Sequence, residues 1–162
     1  MVVMKFGGTS VADQNAIERL ISIVRAQRQA EAQQEGGDAR GPIVVVSALS
    51  KVTDRLLGIA ANAGAGDLDG AETNLRELRH RHITVSTAIT DPVHREQAIE
   101  FVDREFDELE RVVQALAVLR EVSPRWLDAI AAAGEILSSR IVAAALTAHG
   151  LLATWIDARR TR

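Results

Sequence analysis

The residues at the start of the chain are of types that could hold a phosphate group. A short apolar strand, residues 2–4, runs into Lys5, Gly7-Gly8, Thr9 and Ser10. Glycines let the backbone approach an anion closely and adopt positive φ, so that successive N–H groups can point at it. The lysine adds a compact positive charge, and a helix beginning nearby adds its positive amino-terminal end. The segment predicts a phosphate-binding turn, although a tight turn beside a solvated lysine fits the same residues. It is not a Walker A loop, in which the lysine follows the glycines.

A second group of polar residues follows the next apolar segment of the chain. It contains Ser47, Ser50, Lys51, Thr53 and Asp54. Ser and Thr hydroxyls both donate and accept hydrogen bonds, so they can hold a small polar substrate at the end of a strand. Simple capping of the helix expected from about Lys51 is the alternative explanation for these hydroxyls.

A third feature is Gly134-Glu135 within an otherwise apolar, alanine-rich helix. A carboxylate on such a surface needs a cationic partner or must face solvent. A glycine at this place costs the helix about 1 kcal/mol relative to alanine, which suggests a close backbone approach. An ordinary surface glutamate is the alternative.

The elements that must position these residues begin as a strand–helix–strand unit. Asp13 is placed to cap a helix whose apolar residues recur at helical spacing, and the helix gives way to a loop at Gly36-Gly37. Residues 42–49 are β-branched and apolar on both faces, which is typical of a buried parallel strand. In an open α/β sheet, ligands bind at the carboxyl ends of such strands, where the first two polar segments lie.

The rest of the chain is predicted to be mainly helical. Short and long helices are expected over residues 52–61 and around 75–85, and Asp91-Pro92 starts another. That helix carries a coiled-coil-like seam and predicts an antiparallel helical hairpin that projects from the sheet or packs on it. The seam consists of Ile99, Val102, Phe106, Leu109, Val113 and Leu116.

The last helix and strand are marked by their flanking residues. Ser123-Pro124 starts a helix that His149-Gly150 stops, and residues 153–156 predict a third strand. The two histidines His80 and His82 lie on a charged helix and are expected to be solvated.

Bulk composition limits the classes of function. The 162 residues suit one domain, with 47% hydrophobic and 25% charged residues. A net charge of −3 argues against nucleic acid as the main partner. The absence of cysteine excludes a disulfide framework and a thiolate metal site and is compatible with the cytoplasm. No membrane association is expected, because no apolar run is predicted to reach the length that spans a bilayer.

Taken together and in order, these motifs closely resemble aspartate kinase. The resemblance rests on residues 5–13, on residues 44–48 with Thr53-Asp54, on residues 134–139 and on the closing segment 155–159. It implies the amino acid kinase fold, a three-layer α/β/α sandwich with a mainly parallel sheet and a helical hairpin insertion. It also implies phosphorylation of the side-chain carboxylate of L-aspartate by Mg-ATP, giving 4-phospho-L-aspartate, the first step toward lysine, threonine and methionine. No metal ligand from the chain itself is implied.

The resemblance also assigns roles to individual residues. Lys5 is implied as the catalytic residue that steadies the transferring phosphoryl group. The implied ATP-phosphate site consists of Lys5, Phe6, Gly7, Gly8, Thr9 and Ser10. The implied aspartate site consists of Ser47, Thr53 and Glu135, with Glu135 pairing with the substrate ammonium.

Several features of aspartate kinases are missing from this sequence. The family continues with a glycine-rich segment that completes the nucleotide site, with an arginine for the aspartate α-carboxylate, and with ACT domains. Residues 1–162 are therefore expected to be the amino-terminal portion of a kinase domain, of doubtful activity alone, from a cytoplasmic enzyme that forms a homo-oligomer at full length. The alternatives are a sister amino acid kinase, or a non-catalytic paralogue or assembly subunit that pairs through the seam.

Overall fold

The computed structural model describes residues 2–33 and 41–160, so the loop expected at Gly36-Gly37 lies outside the described residues. Two strands and five α-helices make up the described part of the chain. They are β1 (Val3–Phe6), α1 (Gln14–Ala32), β2 (Ile43–Val46), α2 (Val52–Gly64), α3 (Leu68–Val85), α4 (Pro92–Leu119) and α5 (Pro124–Ala148). Short 3₁₀ turns cover Gly8–Val11, Ser86–Ala88 and Ala158–Arg160.

Helix starts follow local signals in the sequence, as predicted. The Asp13 carboxylate accepts a hydrogen bond from the Ala16 N–H at 2.8 Å, and the Asp91 carboxylate accepts one from the His94 N–H at 2.9 Å. Such caps satisfy N–H groups that the first helical turn leaves without partners. α4 and α5 each begin with proline, whose missing N–H costs nothing at that position.

The two strands form a parallel sheet in which Val3 pairs with Ile43 and Phe6 with Val46. One face of the sheet, carrying Phe6, packs against the helices. The other face is open within the described residues, so Ile43 and Val45 remain 46% and 42% exposed. The expectation of a strand buried on both faces is therefore wrong here, because helices cover only one face of the described sheet. Parallel pairing is confirmed.

α3 and α4 form the predicted antiparallel hairpin. The Arg79 guanidinium lies 3.7 Å from the Asp103 carboxylate, while the Gln114 amide donates to Glu72 at 3.2 Å, so the two helices run in opposite directions. The predicted seam is buried apart from the half-buried Ile99. α4 packs on α2 and α5 as well as on α3, so the hairpin joins the helical layer rather than projecting from the sheet. The seam is thus part of the core and is not a free surface for assembly.

α5 is a core helix that packs against α1, α2, α3, α4 and β2. By length and composition alone it could cross a membrane, contrary to the expectation that no apolar run is long enough, yet more than half of its most apolar stretch is buried by the protein itself. A core helix of a folded domain passes the same length and composition test as a membrane-spanning helix.

The prediction of a third strand over residues 153–156 is wrong, because the segment pairs with no strand in the part of the chain that the structure describes. Side chains of α5 hold it instead. The Trp155 indole N–H donates to the Ser139 hydroxyl at 3.0 Å, and the Ala153 N–H donates to the Thr147 hydroxyl at 3.2 Å. A sequence of β-forming residues becomes a strand only where a partner strand offers matching groups.

The prediction that both histidines of α3 are solvated is wrong for His82. His80 is exposed as expected, but His82 is fully buried and its ring lies 5.3 Å from that of Phe106. Its Nδ1 lies 2.7 Å from the Leu78 carbonyl oxygen, which can only accept, so Nδ1 carries the proton. Burial lowers the pKa of His82 from 6.5 to about 4, and the neighbouring charge of Arg81 acts in the same direction.

Candidate active site

The first polar segment forms a compact turn directly after β1. Gly7 is extended, with φ −76°, and its carbonyl oxygen accepts the Ser10 N–H at 2.9 Å to close the 3₁₀ turn. Neither Gly7 nor Gly8 has positive φ, so the expected left-handed geometry is absent from this turn. Lys5 is exposed on the open face of β1, and Phe6 is buried, so Phe6 can offer a ligand only its backbone.

Gly8 is needed for a close approach between this turn and the segment that follows β2. A Cβ at Gly8 would lie 2.9 Å from the Ala48 carbonyl oxygen and 3.3 Å from the Ser50 Cα. Both neighbours are backbone atoms and cannot move aside cheaply. The first two polar segments of the sequence are therefore in direct contact in the fold.

Gly8→Ala is expected to lower the free energy of unfolding by about 1–3 kcal/mol, because the methyl group has no space and the two turns must separate. Gly7→Ala is the matched control, since a Cβ there meets no atom within 4 Å and its φ suits any residue. Urea unfolding of both variants of the purified chain measures the difference. Equal stability of the two variants would contradict the packing described here.

The second polar segment begins where β2 ends. The Ser47 N–H donates to the Phe6 carbonyl oxygen at 3.1 Å and so extends the contact with β1 by one residue. Lys51 precedes α2 in the left-handed conformation, with φ 63°, and its side chain makes no capping hydrogen bond. A lysine has no acceptor to cap a helix. The Lys51 side chain therefore does not cap α2. Thr53 lies half-buried in the first turn of α2.

α5 contacts the second segment at the predicted glycine. A Cβ at Gly134 would lie 3.0 Å from the Ala48 Cβ and 3.2 Å from a methyl carbon of Val52. One turn later, the Ser138 hydroxyl donates to the Ser47 carbonyl oxygen at 2.7 Å. The α5 backbone does approach its neighbours closely at Gly134, and the atoms that it meets are side-chain carbons of Ala48 and Val52. The third polar feature therefore lies against the second.

Glu135 follows Gly134 and is exposed. It lines a cavity of about 590 Å³ that runs beside β2, together with Val45, Ser139 and Trp155. The carboxylate thus faces a cavity whose lining includes no residue of the turn after β1. Neither Ser47 nor Thr53 lines this cavity.

Arg81 of α3 is a residue that the sequence reasoning missed. It is half-buried, and its guanidinium donates from Nη1 to the Ser50 carbonyl oxygen at 2.7 Å and from Nη2 to the Ala12 carbonyl oxygen at 3.2 Å. Its partners lie 31 and 69 residues away along the chain, so no local pattern indicates them. The only signal is that the next residue, His82, continues the stripe of Leu75 and Leu78 at helical spacing.

Across residues 2–33 and 41–160, no group of three or more histidine, aspartate or glutamate side chains is arranged to hold a metal ion. The three segments supply backbone turns, hydroxyls, the exposed lysines Lys5 and Lys51 and the exposed Glu135. Such a set can bind a molecule with an anionic end and a cationic end.

Known proteins share both the sequence and the fold. The Lysine-sensitive aspartokinase 3 of Escherichia coli is 28% identical over 99% of this chain and 31% of its own length. The aspartokinase of Candida albicans is 27% identical over 96% of the chain and 28% of its own length. Bifunctional aspartokinase/homoserine dehydrogenase 1 of Arabidopsis thaliana is 26% identical over 97% of the chain and 16% of its own length. The chain thus spans less than a third of each of these relatives.

Two solved structures have the same fold. The E. coli aspartokinase III complex with aspartate and ADP superimposes with a TM-score of 0.73 at 26% identity, over 93% of this chain and 29% of that one. The complex with lysine and aspartate gives a TM-score of 0.75 at 24% identity, over 93% and 30% of the two chains. The expected incomplete α/β fold of the amino acid kinase type and the resemblance to aspartate kinases are confirmed. Because the model of the amino acid kinase family matches residues 1–162, the chain belongs to that family.

Proposed function

We propose that residues 1–162 form the amino-terminal portion of an aspartate kinase domain, which transfers a phosphoryl group from ATP to the side-chain carboxylate of L-aspartate. The observation that carries the proposal is the meeting of three segments at one place. Gly8 contacts Ala48, and Gly134 and Ser138 of α5 contact the same segment. The similar E. coli enzyme was solved with aspartate and ADP bound, which supports a site for both kinds of ligand.

In this proposal the turn after β1 holds the phosphate end of the nucleotide. The N–H groups of Gly8 and Thr9 begin the 3₁₀ turn and have no partner within it, so they are available to phosphate oxygens. Lys5 is exposed one residue before the end of β1 and supplies a positive charge for the group in transfer. The remaining nucleotide contacts belong to parts of the enzyme beyond these residues.

The acceptor side of the proposed site consists of Ser47, Thr53 and Glu135. The Glu135 carboxylate pairs with the ammonium group of aspartate, and the two hydroxyl residues bind its polar atoms. The acceptor carboxylate then attacks the γ-phosphorus, a new O–P bond forms, and the bond to ADP breaks. A carboxylate is already ionised at neutral pH and needs no general base, so catalysis depends on positioning and on neutralising charge.

Mg²⁺ and cellular location are parts of the same proposal. Mg²⁺ is bound with ATP, held by phosphate oxygens, and supplies further neutralisation of the phosphate charge. A cytoplasmic location suits an enzyme that consumes ATP and a free amino acid. We also propose a homo-oligomer for the complete enzyme, which light scattering coupled to gel filtration measures directly.

The reaction is tested with the complete protein, ATP, Mg²⁺ and aspartate. Trapping the acyl phosphate with hydroxylamine is expected to give aspartyl hydroxamate, with ADP formed in equal amount. Glutamate in place of aspartate is the control for a sister amino acid kinase. Product from glutamate alone would favour the sister kinase, and no product from any amino acid would favour a non-catalytic paralogue.

Glu135→Gln is expected to raise the KM for aspartate by about 10- to 100-fold, because the neutral amide no longer pairs with the substrate ammonium. The KM for ATP should change little. Asp128→Asn is the matched control, since Asp128 is an exposed carboxylate two turns earlier on α5. Steady-state kinetics with each substrate varied in turn measures both constants. Unchanged saturation by aspartate in Glu135→Gln would remove Glu135 from the proposed site.

A further inference from the structure

Arg81 of α3 belongs to neither turn of the candidate site, yet its side chain contacts both the turn after β1 and the segment after β2. Its guanidinium bridges the carbonyl oxygens of Ala12 and Ser50 at 3.2 and 2.7 Å. Ala12 lies at the end of the first turn, just before the cap of α1, and Ser50 lies just before α2. A single side chain of α3 therefore fixes the places where both turns pass into their helices.

The bridge adds to a second contact between the same turns. At Gly8 the turns touch through van der Waals contact with Ala48, without room for a methyl group. Two separate joints prevent one turn from rotating about the other, whereas a single joint would allow it. The Gly8 contact and the Arg81 bridge therefore fix the distance between the turns at two separate points.

The chemistry of the bridge requires arginine. Two N–H groups on one rigid, planar group reach two carbonyl oxygens at once, whereas an ammonium group on a flexible chain cannot hold both at fixed spacing. The other arginines of α3 behave differently. Arg79 pairs with acidic residues of α4, and Arg76 lies on the surface near Glu72. Within the described residues, Arg81 has no carboxylate partner closer than 4.0 Å and is used for backbone alone.

We propose that Arg81 is a positioning residue, which sets the distance between the phosphate turn and the aspartate pocket and so aligns the acceptor carboxylate with the γ-phosphate. This role rests on the proposed aspartate kinase function. Reacting groups must lie within about 3–3.5 Å of each other, and a misplacement of about 1 Å can cost 100-fold in rate. Loss of Arg81 therefore affects turnover more than the binding of either substrate alone.

The test compares Arg81→Ala, Arg81→Lys and the control Arg76→Ala in the complete protein. Arg81→Ala is expected to lower kcat by about 100-fold, with each KM changed less than about threefold. Arg81→Lys retains one of the two hydrogen bonds, so its kcat should lie between that of Arg81→Ala and that of the parent protein. Free guanidinium at millimolar concentration should restore part of the kcat of Arg81→Ala, while Arg76→Ala should match the parent protein. A folded Arg81→Ala variant with kcat within twofold of the parent would overturn the proposal. So would a loss of activity that only follows the folded fraction and is not restored by guanidinium.

Amide hydrogen exchange separates this proposal from the proposed function. Arg81→Ala should speed exchange in residues 8–13 and 47–53 together, and Arg76→Ala should leave both segments unchanged. If the parent protein phosphorylates no amino acid, the proposed function fails, and the exchange result alone decides whether Arg81 couples the turns. Unchanged exchange in either segment would overturn that coupling.

Discussion

Lys5→Met in the complete enzyme is expected to lower kcat by about 100- to 1,000-fold, while the KM for aspartate changes little. The lysine is the only cation among residues 2–13, and it stands beside the turn that the nucleotide phosphates are proposed to contact. Negative charge on the transferring group is spread over its oxygens in the transition state, so a fixed positive charge acts most strongly there. Methionine keeps most of the length of the side chain and removes the charge together with the N–H donors of the ammonium group.

The effect should not arise from unfolding. Lys5 is exposed on the open face of β1, so Lys5→Met should leave the urea midpoint nearly unchanged. Lys5→Arg is the second variant, because it keeps the charge but replaces a compact ammonium with a wider planar group, and it should retain part of the activity. Full turnover in Lys5→Met, measured by coupled ADP release, would exclude Lys5 from the reaction.

Lowering the pH is expected to destabilise the fold through His82, which is the second large effect. Its pKa is about 4 when folded and 6.5 when unfolded, so the unfolded chain binds the proton more tightly. The contribution of the neutral imidazole is fully present above pH 6.5 and is lost as the pH falls toward 4. The pKa difference corresponds to about 3 kcal/mol over that range. The physical cause is a buried ring whose Nε2 has no hydrogen-bond partner among the described residues, so a second proton there would be both charged and unsatisfied.

His82→Leu removes the titrating group and should flatten the pH dependence of unfolding between pH 7 and pH 4 by about that amount. His80→Leu is the matched control, because His80 is exposed on the same helix. Urea unfolding of both variants and the parent at several pH values gives the slopes. The slope does not depend on the starting stability of each variant. Parallel curves for His82→Leu and the parent would show that His82 does not control the acid sensitivity.

Local features of the fold follow closely from the sequence. Asp13 and Asp91 cap their helices as their positions predict, and Pro92 and Pro124 mark the first helical residues. These signals work because a cap or a proline acts on N–H groups within a few residues of itself. Gly134 also predicts a close approach correctly, since a glycine that weakens a helix indicates a close neighbour.

Other predictions depended on partners that local sequence cannot specify. Residues 153–156 have the composition of a strand, but their neighbours are α5 side chains, so no strand forms. The charged neighbours of His82 predict a solvated side chain, whereas its spacing from Leu78 places it on the buried face of α3. A polar residue on an apolar stripe stays buried when the packing around it excludes water and one hydrogen bond is satisfied.

For the candidate site, the sequence alone determined which residues have the right chemistry and that they fall into three segments. It did so because glycine, hydroxyl and charged residues carry their properties wherever the chain places them. Only the tertiary structure decided that the segments meet, that Gly8 serves a contact between two turns rather than a left-handed bend, and that Arg81 joins those turns. These facts rest on contacts between residues 31 to 91 positions apart, which exist only once parallel pairing of β1 with β2 and packing of α3 and α5 bring the backbone segments together.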